Sequence, residues 1–292
     1  MTVTSPCTGI CKLDEQTGWC LGCGRTGDEI AVWRGLPQSN RDQVWADIPD
    51  RLGQLGVACR RLPWTTEDIR EFVATSCAPG RGTWVMGVVG AVAEFLVTDG
   101  AVAEVIHDGD DLIARTQNGA LRMTIDDHLR ALTFDPPSLK TPPRVVLAVK
   151  RERGRLPVAD GLIDLGEDQA ALLGDKATRL FDLGLGRKEA RFCVRVGDGA
   201  AHIALDRATG LPFADSFPQI GAALLQESPT RVVETALGRI EVQGQIPTES
   251  ATMPAGPHTH LLPDQLLIGR ALPVGMDLQG AYLPGANFYP KV

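Results

Sequence analysis

Ile106-His107-Asp108-Gly109-Asp110 and, ten residues on, Asn118-Gly119 form the stretch from which the architecture of this 292-residue chain unfolds. Asp-Gly and Asn-Gly supply the positive-φ positions that tight hairpins need, and the residues between them alternate apolar and polar in short runs. Two such reversals in succession read as an antiparallel meander. Upstream, Trp84 to Val97 is apolar and rich in valine. Downstream, 144–149, 191–196, 202–205, 231–234 and 239–242 each read as strands. Helices interrupt the sheet. Ala170, Leu173, Ala177, Leu180 and Phe181 recur at helical spacing and stop at Gly184, while 220–225 and 261–268 read as shorter helices. Gly184-Leu185-Gly186 follows a helical pattern rather than opening one, so it reads as a cap and not as a phosphate loop. The expected class is α+β rather than a repeating βαβ array.

The N-terminal texture is different. Four of the seven cysteines crowd into Cys7-x3-Cys11-x8-Cys20-x2-Cys23, with Asp14-Glu15-Gln16-Thr17-Gly18 supplying a reversal between the pairs. Thiolates at Cys-x2-Cys spacing reach one ion when the chain turns tightly, and Gly22 and Gly24 allow that turn. Four unliganded thiols or a redox disulfide pair are the competing readings. Zinc and an iron-sulfur cluster both accept four thiolates, and the spacing is neither a zinc ribbon with its long spacer nor a ferredoxin run. After the last cysteine, Thr26 and Glu29 fit a capping box, and Ile30 and Trp33 begin an apolar face. Pro37 ends this helix. Ser39 or Asn40 caps a second, with Val44, Trp45 and Ile48 on its buried side before Pro49. A third helix starts at Thr65 or Thr66 and runs through Ile69, Phe72 and Val73, with a break at 77–82. The organisation expected is a four-cysteine metal knot with two short helices over 1–58, a helix and linker over 59–82, and a larger, mostly antiparallel sheet domain with a few helices over 83–292.

Residues 5–55 resemble the small bacterial four-cysteine family called domain-of-unknown-function family 1289, described as a predicted iron-sulfur protein. The resemblance rests on Ser5-Pro6-Cys7, Cys11, Gly18, Cys20, Cys23-Gly24-Arg25-Thr26, Glu29-Ile30, Trp33, Arg41 and Trp45. It implies cluster ligation by Cys7, Cys11, Cys20 and Cys23. Residues 80–290 resemble a second uncharacterised bacterial family, domain-of-unknown-function family 6925. That likeness is carried by Trp84, Gly90, Ala93-Glu94-Phe95, Phe181-Asp182-Leu183-Gly184, Ser228-Pro229, Arg231-Val232, 238–242 and Gly256-Pro257-His258-Thr259-His260. It implies no activity. Near the end, 276–288 echoes a pentapeptide-repeat coil, but three units cannot bury a solenoid core, so the segment reads as a closing turn.

Composition narrows the function. With 43% hydrophobic and 22% charged residues the chain is that of an ordinary folded protein. Its length buries roughly 75% of the unfolded surface. The net charge is -7; residues 1–64 carry seven basic and seven acidic residues, so the acidic excess lies entirely beyond them. Neither nucleic acid nor anionic membrane is an expected partner. The helices after the cysteines present Asp28, Glu29, Asp42 and Asp47 beside Arg25, Arg34 and Arg41, and so no basic recognition face. The opening Met-Thr-Val-Thr-Ser-Pro-Cys has no basic start and no apolar run, so no secretory leader is expected. The uncharged, valine-rich apolar stretch 82–93 is short of the ~20 residues of a membrane span. A cytoplasmic protein follows, in which reducing conditions favour metal ligation over structural disulfides.

In the larger part, the chemically rich stretch is His258-Thr259-His260. Histidines at i and i+2 of an extended chain share a face and suit one metal. Alternatively, Pro257 and Pro263 frame a turn whose histidines bond backbone carbonyls. Cys193, His202, Glu234 and Glu241 lie on expected strands as third-ligand candidates, with no spacing to select among them. Arg231 and Arg239 suit an anion pocket, or else salt bridges to Glu234 and Glu241. Cys59, Cys77 and Cys193 read as small buried hydrophobes, and no nucleophile triad emerges. Two functions are therefore expected. The first is a metal- or iron-sulfur-binding protein, with Arg25 and nearby amides offsetting the thiolate charge and a large domain that binds a protein or small-molecule partner. The alternative is a metal-dependent enzyme with a second site at His258 and His260.

Overall fold

Thr26 opens the first helix as the sequence requires. In the computed structural model, which describes residues 4–88, 90–140, 142–157, 159–185, 189–246, 256–260 and 282–291, Thr26 Oγ1 accepts from the Glu29 amide at 3.1 Å. Glu29 Oε2 accepts from the Thr26 amide at 2.8 Å. This capping box starts α1 (Gly27–Val32), which buries Trp33 just past its end while Ile30 stays exposed. The next helix departs from expectation. α2 (Gln38–Gln54) begins at Pro37 without a side-chain cap from Ser39 or Asn40, and it carries Pro49 inside it rather than stopping there. Its burial explains the continuation: Val44, Ile48 and Leu52, at i, i+4 and i+8, form one stripe against Trp33, with Trp45 half-buried at its edge. Arg51 clamps the pair, reaching Glu29 at 2.8 Å and Asp47 at 3.1 Å.

Beyond the module come β1 (Arg60–Arg61), α3 (Thr66–Ser76), β2 (Gly82–Val88), β3 (Ala91–Leu96), β4 (Glu104–Asp108), β5 (Asp111–Arg115), β6 (Gly119–Thr124), β7 (Arg130–Thr133) and β8 (Val145–Lys150). There follow β9 (Ile163–Glu167), β10 (Arg179–Asp182), β11 (Ala190–Val196), α4 (Ala200–Ala208), α5 (Phe213–Glu227), β12 (Thr230–Thr235), β13 (Gly238–Val242), β14 (His258–His260) and β15 (Tyr282–Pro290). The fold is α+β with two large sheets. Among the described residues, one has seven strands in the order β1-β7-β8-β15-β2-β3-β14, the other eight in the order β4-β5-β6-β13-β12-β11-β10-β9, and every pairing is antiparallel. Their inner faces share one core: Trp84, Met86 and Phe95 from the first sheet pack with Phe181, Phe192, Val233 and Ile240 from the second. The helix α3, started by a Thr65 capping box with Asp68, buries Ile69 and Val73 in the same core, and Ser76 Oγ accepts from the Trp84 indole at 2.7 Å.

Further expectations are corrected. The helix foreseen over 170–181 is a loop followed by β10. Gly174 sits at φ +73, outside a helix's range, and Leu180 and Phe181 bury on opposite faces of the sheet, which is strand periodicity. Gly184 is correspondingly no helix cap. It follows a strand at φ +69, and a Cβ there would stand 2.6 Å from the Gly161 backbone. The strand foreseen at 202–205 is helix α4, where Ala201, Leu205 and Ala208 recur at helical spacing and the Glu227 carboxylate takes the Ala200 amide at 2.6 Å. The closing turn foreseen at 276–288 is, from Tyr282 on, strand β15 inside the seven-stranded sheet, and 276–281 lie outside the described residues. The helix foreseen at 261–268 lies outside the described residues.

Candidate functional site

The four-cysteine hairpin is built by local backbone geometry. Asp14 Oδ2 collects the Thr17 amide and hydroxyl, each at 2.8 Å, and the Gln16 amide at 3.2 Å, while Gly18 takes φ +70. The Thr17 bonds hold the Asp14 carboxyl below its ordinary pKa. Leu13 then pairs with Cys20 and Trp19 with Thr26, both antiparallel. The Cys-x2-Cys turn closes when the Cys23 and Gly24 amides donate to the Cys20 carbonyl at 3.3 and 2.8 Å. The first pair is laid against this turn: Thr8 Oγ1 donates to the Gly22 carbonyl at 3.0 Å, and a Cβ on Gly22 would come within 2.6 Å of Ile10.

This arrangement leaves Cys7 half-buried and Cys11 exposed, with Cys20 and Cys23 buried; all four are free. Two sulfurs, one from each pair, receive donors. The Gly9 amide donates to Cys7 Sγ at 3.3 Å, and Arg25 Nε donates to Cys23 Sγ at 3.4 Å. Arg25 is itself buried, its guanidinium stacked 4.7 Å above the Trp33 ring. Burial pushes the Cys23 thiol above its ordinary pKa, and the bond and charge of Arg25 pull it part of the way back. The Cys20 thiol donates to the Ile10 carbonyl at 3.0 Å. The donor set has the chemistry of a thiolate site, yet among the described residues no three His, Cys, Asp or Glu side chains are gathered as a group that could hold an ion.

His258 sits on β14 at the sheet edge rather than in a loop. It lies opposite Glu94 of β3 and is 4% exposed. Its Nδ1 donates to the Gly256 carbonyl at 2.8 Å, and Nε2 stands 3.3 Å from Glu94 Oε2. The side chain of His260 lies outside the described structure. The four candidate third ligands are occupied elsewhere. Glu241 accepts the Leu172 and Leu173 amides at 2.9 and 3.1 Å, and Glu234 meets Arg191 at 2.6 Å. His202 faces Asp198 and Asp206 from α4, and Cys193 is fully buried in β11. Glu94 was the missed neighbour; its signal was a lone carboxylate inside an apolar run.

The salt-bridge reading of Arg239 is the one observed. It contacts Asp168 at 2.7 Å, Glu241 at 3.0 Å and Glu234 at 3.2 Å, and Arg195 joins Asp168 and Glu241, each at 2.9 Å. Arg231 differs. Among the described residues it donates to the Pro229 and Gly244 carbonyls, and burial lowers its pKa to about 10.

The family of unknown function DUF6925 matches residues 68–292. The chain belongs to DUF6925. Within this family member, both sheets other than β1 lie inside the matched span, and α3 does too except for its first two residues. The protein-of-unknown-function family DUF1289 matches residues 5–52, which hold all four clustered cysteines. The same segment is similar to the uncharacterized protein YdhL of Escherichia coli K12 and of Shigella flexneri. The identity is 43% over 42 residues, covering 14% of this chain. The chain spans about half the length of these curated relatives, 52%. No solved structure matches the chain. Among the described residues no helix is long and apolar enough to cross a membrane.

Proposed function

We propose that the cysteine-rich module is a thiolate site for zinc or an iron-sulfur cluster, held by Cys7, Cys11, Cys20 and Cys23, in a cytoplasmic protein whose sheet body binds a protein or small-molecule partner. The observation that carries this is the pair of N–H donors on sulfur, Gly9 to Cys7 and Arg25 to Cys23. Donors of this kind stabilise thiolate charge and tune a bound metal. The Cys20 thiol, which donates to the Ile10 carbonyl, would give up its proton on ligation. The test is elemental and sulfide analysis with an absorption spectrum on protein purified without oxygen. Iron with matching sulfide and visible charge-transfer bands identifies a cluster; about one zinc per chain without colour identifies a structural ion. Protein that takes up neither, or four single Cys→Ser variants that all keep full metal content, would sink the proposal.

A metal-dependent enzyme at His258 and His260 is the second reading. Its support is the Glu94 carboxylate beside the buried His258 ring. Two independent metals per chain, one of them lost in a His258→Ala, His260→Ala double variant, is its expected signature.

A further inference from the structure

We propose that the cleft between the cysteine module and the sheet body binds a small organic phosphate carrying a flat ring. The cleft has a volume of about 690 Å³, and both parts of the chain build it: Arg41 and Trp45 come from α2, Arg61 from β1, Trp64 from the connection between β1 and α3, and Arg130 from the start of β7. That size falls among ordinary small-molecule sites, about 300–1,000 Å³.

Charge is the first argument. Among the described residues none of the three guanidiniums makes an ion pair. Arg41 donates to the Gln38 side-chain oxygen at 2.9 Å, Arg61 to the Ser5 carbonyl, and Arg130 to the Asp127 and Leu129 carbonyls at 2.5 and 2.6 Å. In all three the Nε is buried without a hydrogen-bond partner. The cleft does contain two carboxylates. Asp42 accepts from the Gln38 side-chain amide at 2.7 Å and Asp127 from the Thr66 hydroxyl at 2.9 Å, and neither reaches a guanidinium. The contrast with the second sheet is informative, because there the buried Arg195 and Arg239 are answered by Asp168 and Glu241. Burial, and then the neighbouring Arg130, lower the Arg61 pKa to about 10. An anion between these groups would relieve that strain.

Shape is the second argument. Trp45 and Trp64 line the cleft, and Trp64 is fixed by Phe72 with ring centroids 4.8 Å apart. Indoles and guanidinium planes are stacking surfaces for a flat ring. Three guanidiniums with no carboxylate partner among the described residues match the three oxygens of a phosphate monoester dianion better than the two of a carboxylate. The proposal does not depend on a metal at the cysteines.

The test is calorimetric titration of the full chain with phenyl phosphate, inorganic phosphate and benzoate, supported by tryptophan fluorescence. Phenyl phosphate is expected to bind tightest of the three and to quench fluorescence. Arg61→Gln and Arg130→Gln should each weaken it about tenfold or more. The thermal midpoints of the ligand-free variants supply the second readout: a binding arginine leaves them near the parent value or above it, whereas a structural one lowers them. No binding of phenyl phosphate at about 10 mM, undiminished binding in both variants, or equal affinity for inorganic phosphate and phenyl phosphate overturns the proposal.

Discussion

Arg239 is among the largest fully buried side chains of the protein, at 1% exposure, and its neighbours decide whether that burial is tolerable. Two arginines and two carboxylates, Arg195, Arg239, Asp168 and Glu241, cancel each other on the outer face of the eight-stranded sheet. The loop carrying Asp168, Leu172 and Leu173 covers them. Removing one member leaves a buried charge unanswered, which costs about 3–5 kcal/mol. Asp168→Asn should therefore destabilise the protein by that order at neutral pH, read by urea unfolding, and a change under ~1 kcal/mol would contradict the network. The pH dependence has a definite sign. Burial pushes the Asp168 carboxyl up, but the bonds and charges of Arg239 and Arg195 outweigh it, and its pKa lies below the ordinary aspartate value. Its contribution is complete above that ordinary value and is lost as pH falls through the folded one. The stability gap between parent and Asp168→Asn should stay constant from neutral pH to about pH 5 and narrow below about pH 4. Sequence alone reached Arg239, Glu234 and Glu241 because they are near neighbours on two strands. Asp168 lies 71 residues from Arg239, and no spacing rule spans that distance.

At the scale of elements, the hairpins were the legible part, because a turn signal and a period of two are both local. The four-cysteine hairpin was legible for the same reason. Misreadings came where a short apolar pattern fits both periods. Residues 170–181 carry helical spacing, but Gly174 and the two-faced burial of Leu180 and Phe181 settle it as loop and strand. The run 202–205 fits a strand until the helical stripe of Ala201, Leu205 and Ala208 is seen whole. The cleft of Arg41, Arg61 and Arg130 was illegible, since it exists only once α2, β1 and β7 are brought together. Strand pairing also gives a sharp mutational prediction. Gly238 begins β13 opposite Met123 of β6, and a Cβ built there would stand 1.9 Å from the Arg122 carbonyl oxygen. Real side chains do not approach backbone that closely, so the β6–β13 ladder must part or shift. Gly238→Ala should cost more than about 2 kcal/mol despite being a small substitution. Gly53→Ala in α2, where nothing lies within 4 Å, should instead be neutral or stabilising by up to ~1 kcal/mol. Chemical denaturation of the two variants side by side tests both.

The whole molecule depends on its last described strand. β15 lies between β8 and β2, pairing with both, so the seven-stranded sheet has no continuity without it. It also reaches out of its sheet. Phe288 packs at 5.1 Å from Trp84 and 5.3 Å from Phe72, tying the strand to β2 and α3. The Gly285 carbonyl accepts the Thr235 hydroxyl of the other sheet at 3.2 Å. A Cβ on Gly285 would meet Leu237 at 2.7 Å, so the sheets approach closely there. A chain ending at residue 281 would leave two central strand edges unpaired and open the shared core, exposing the hydrogen-bonding groups that promote aggregation. Such a chain should lose its cooperative thermal transition, bind a hydrophobic dye and show collapsed amide dispersion, while β4, β5 and β6 retain local pairing. Adding a peptide of residues 282–292 should restore part of the transition, because the missing ladder is supplied by strand addition. A truncated chain that unfolds as cooperatively as the full one would mean that β8 and β2 can close on each other, and that the core does not need β15 to form.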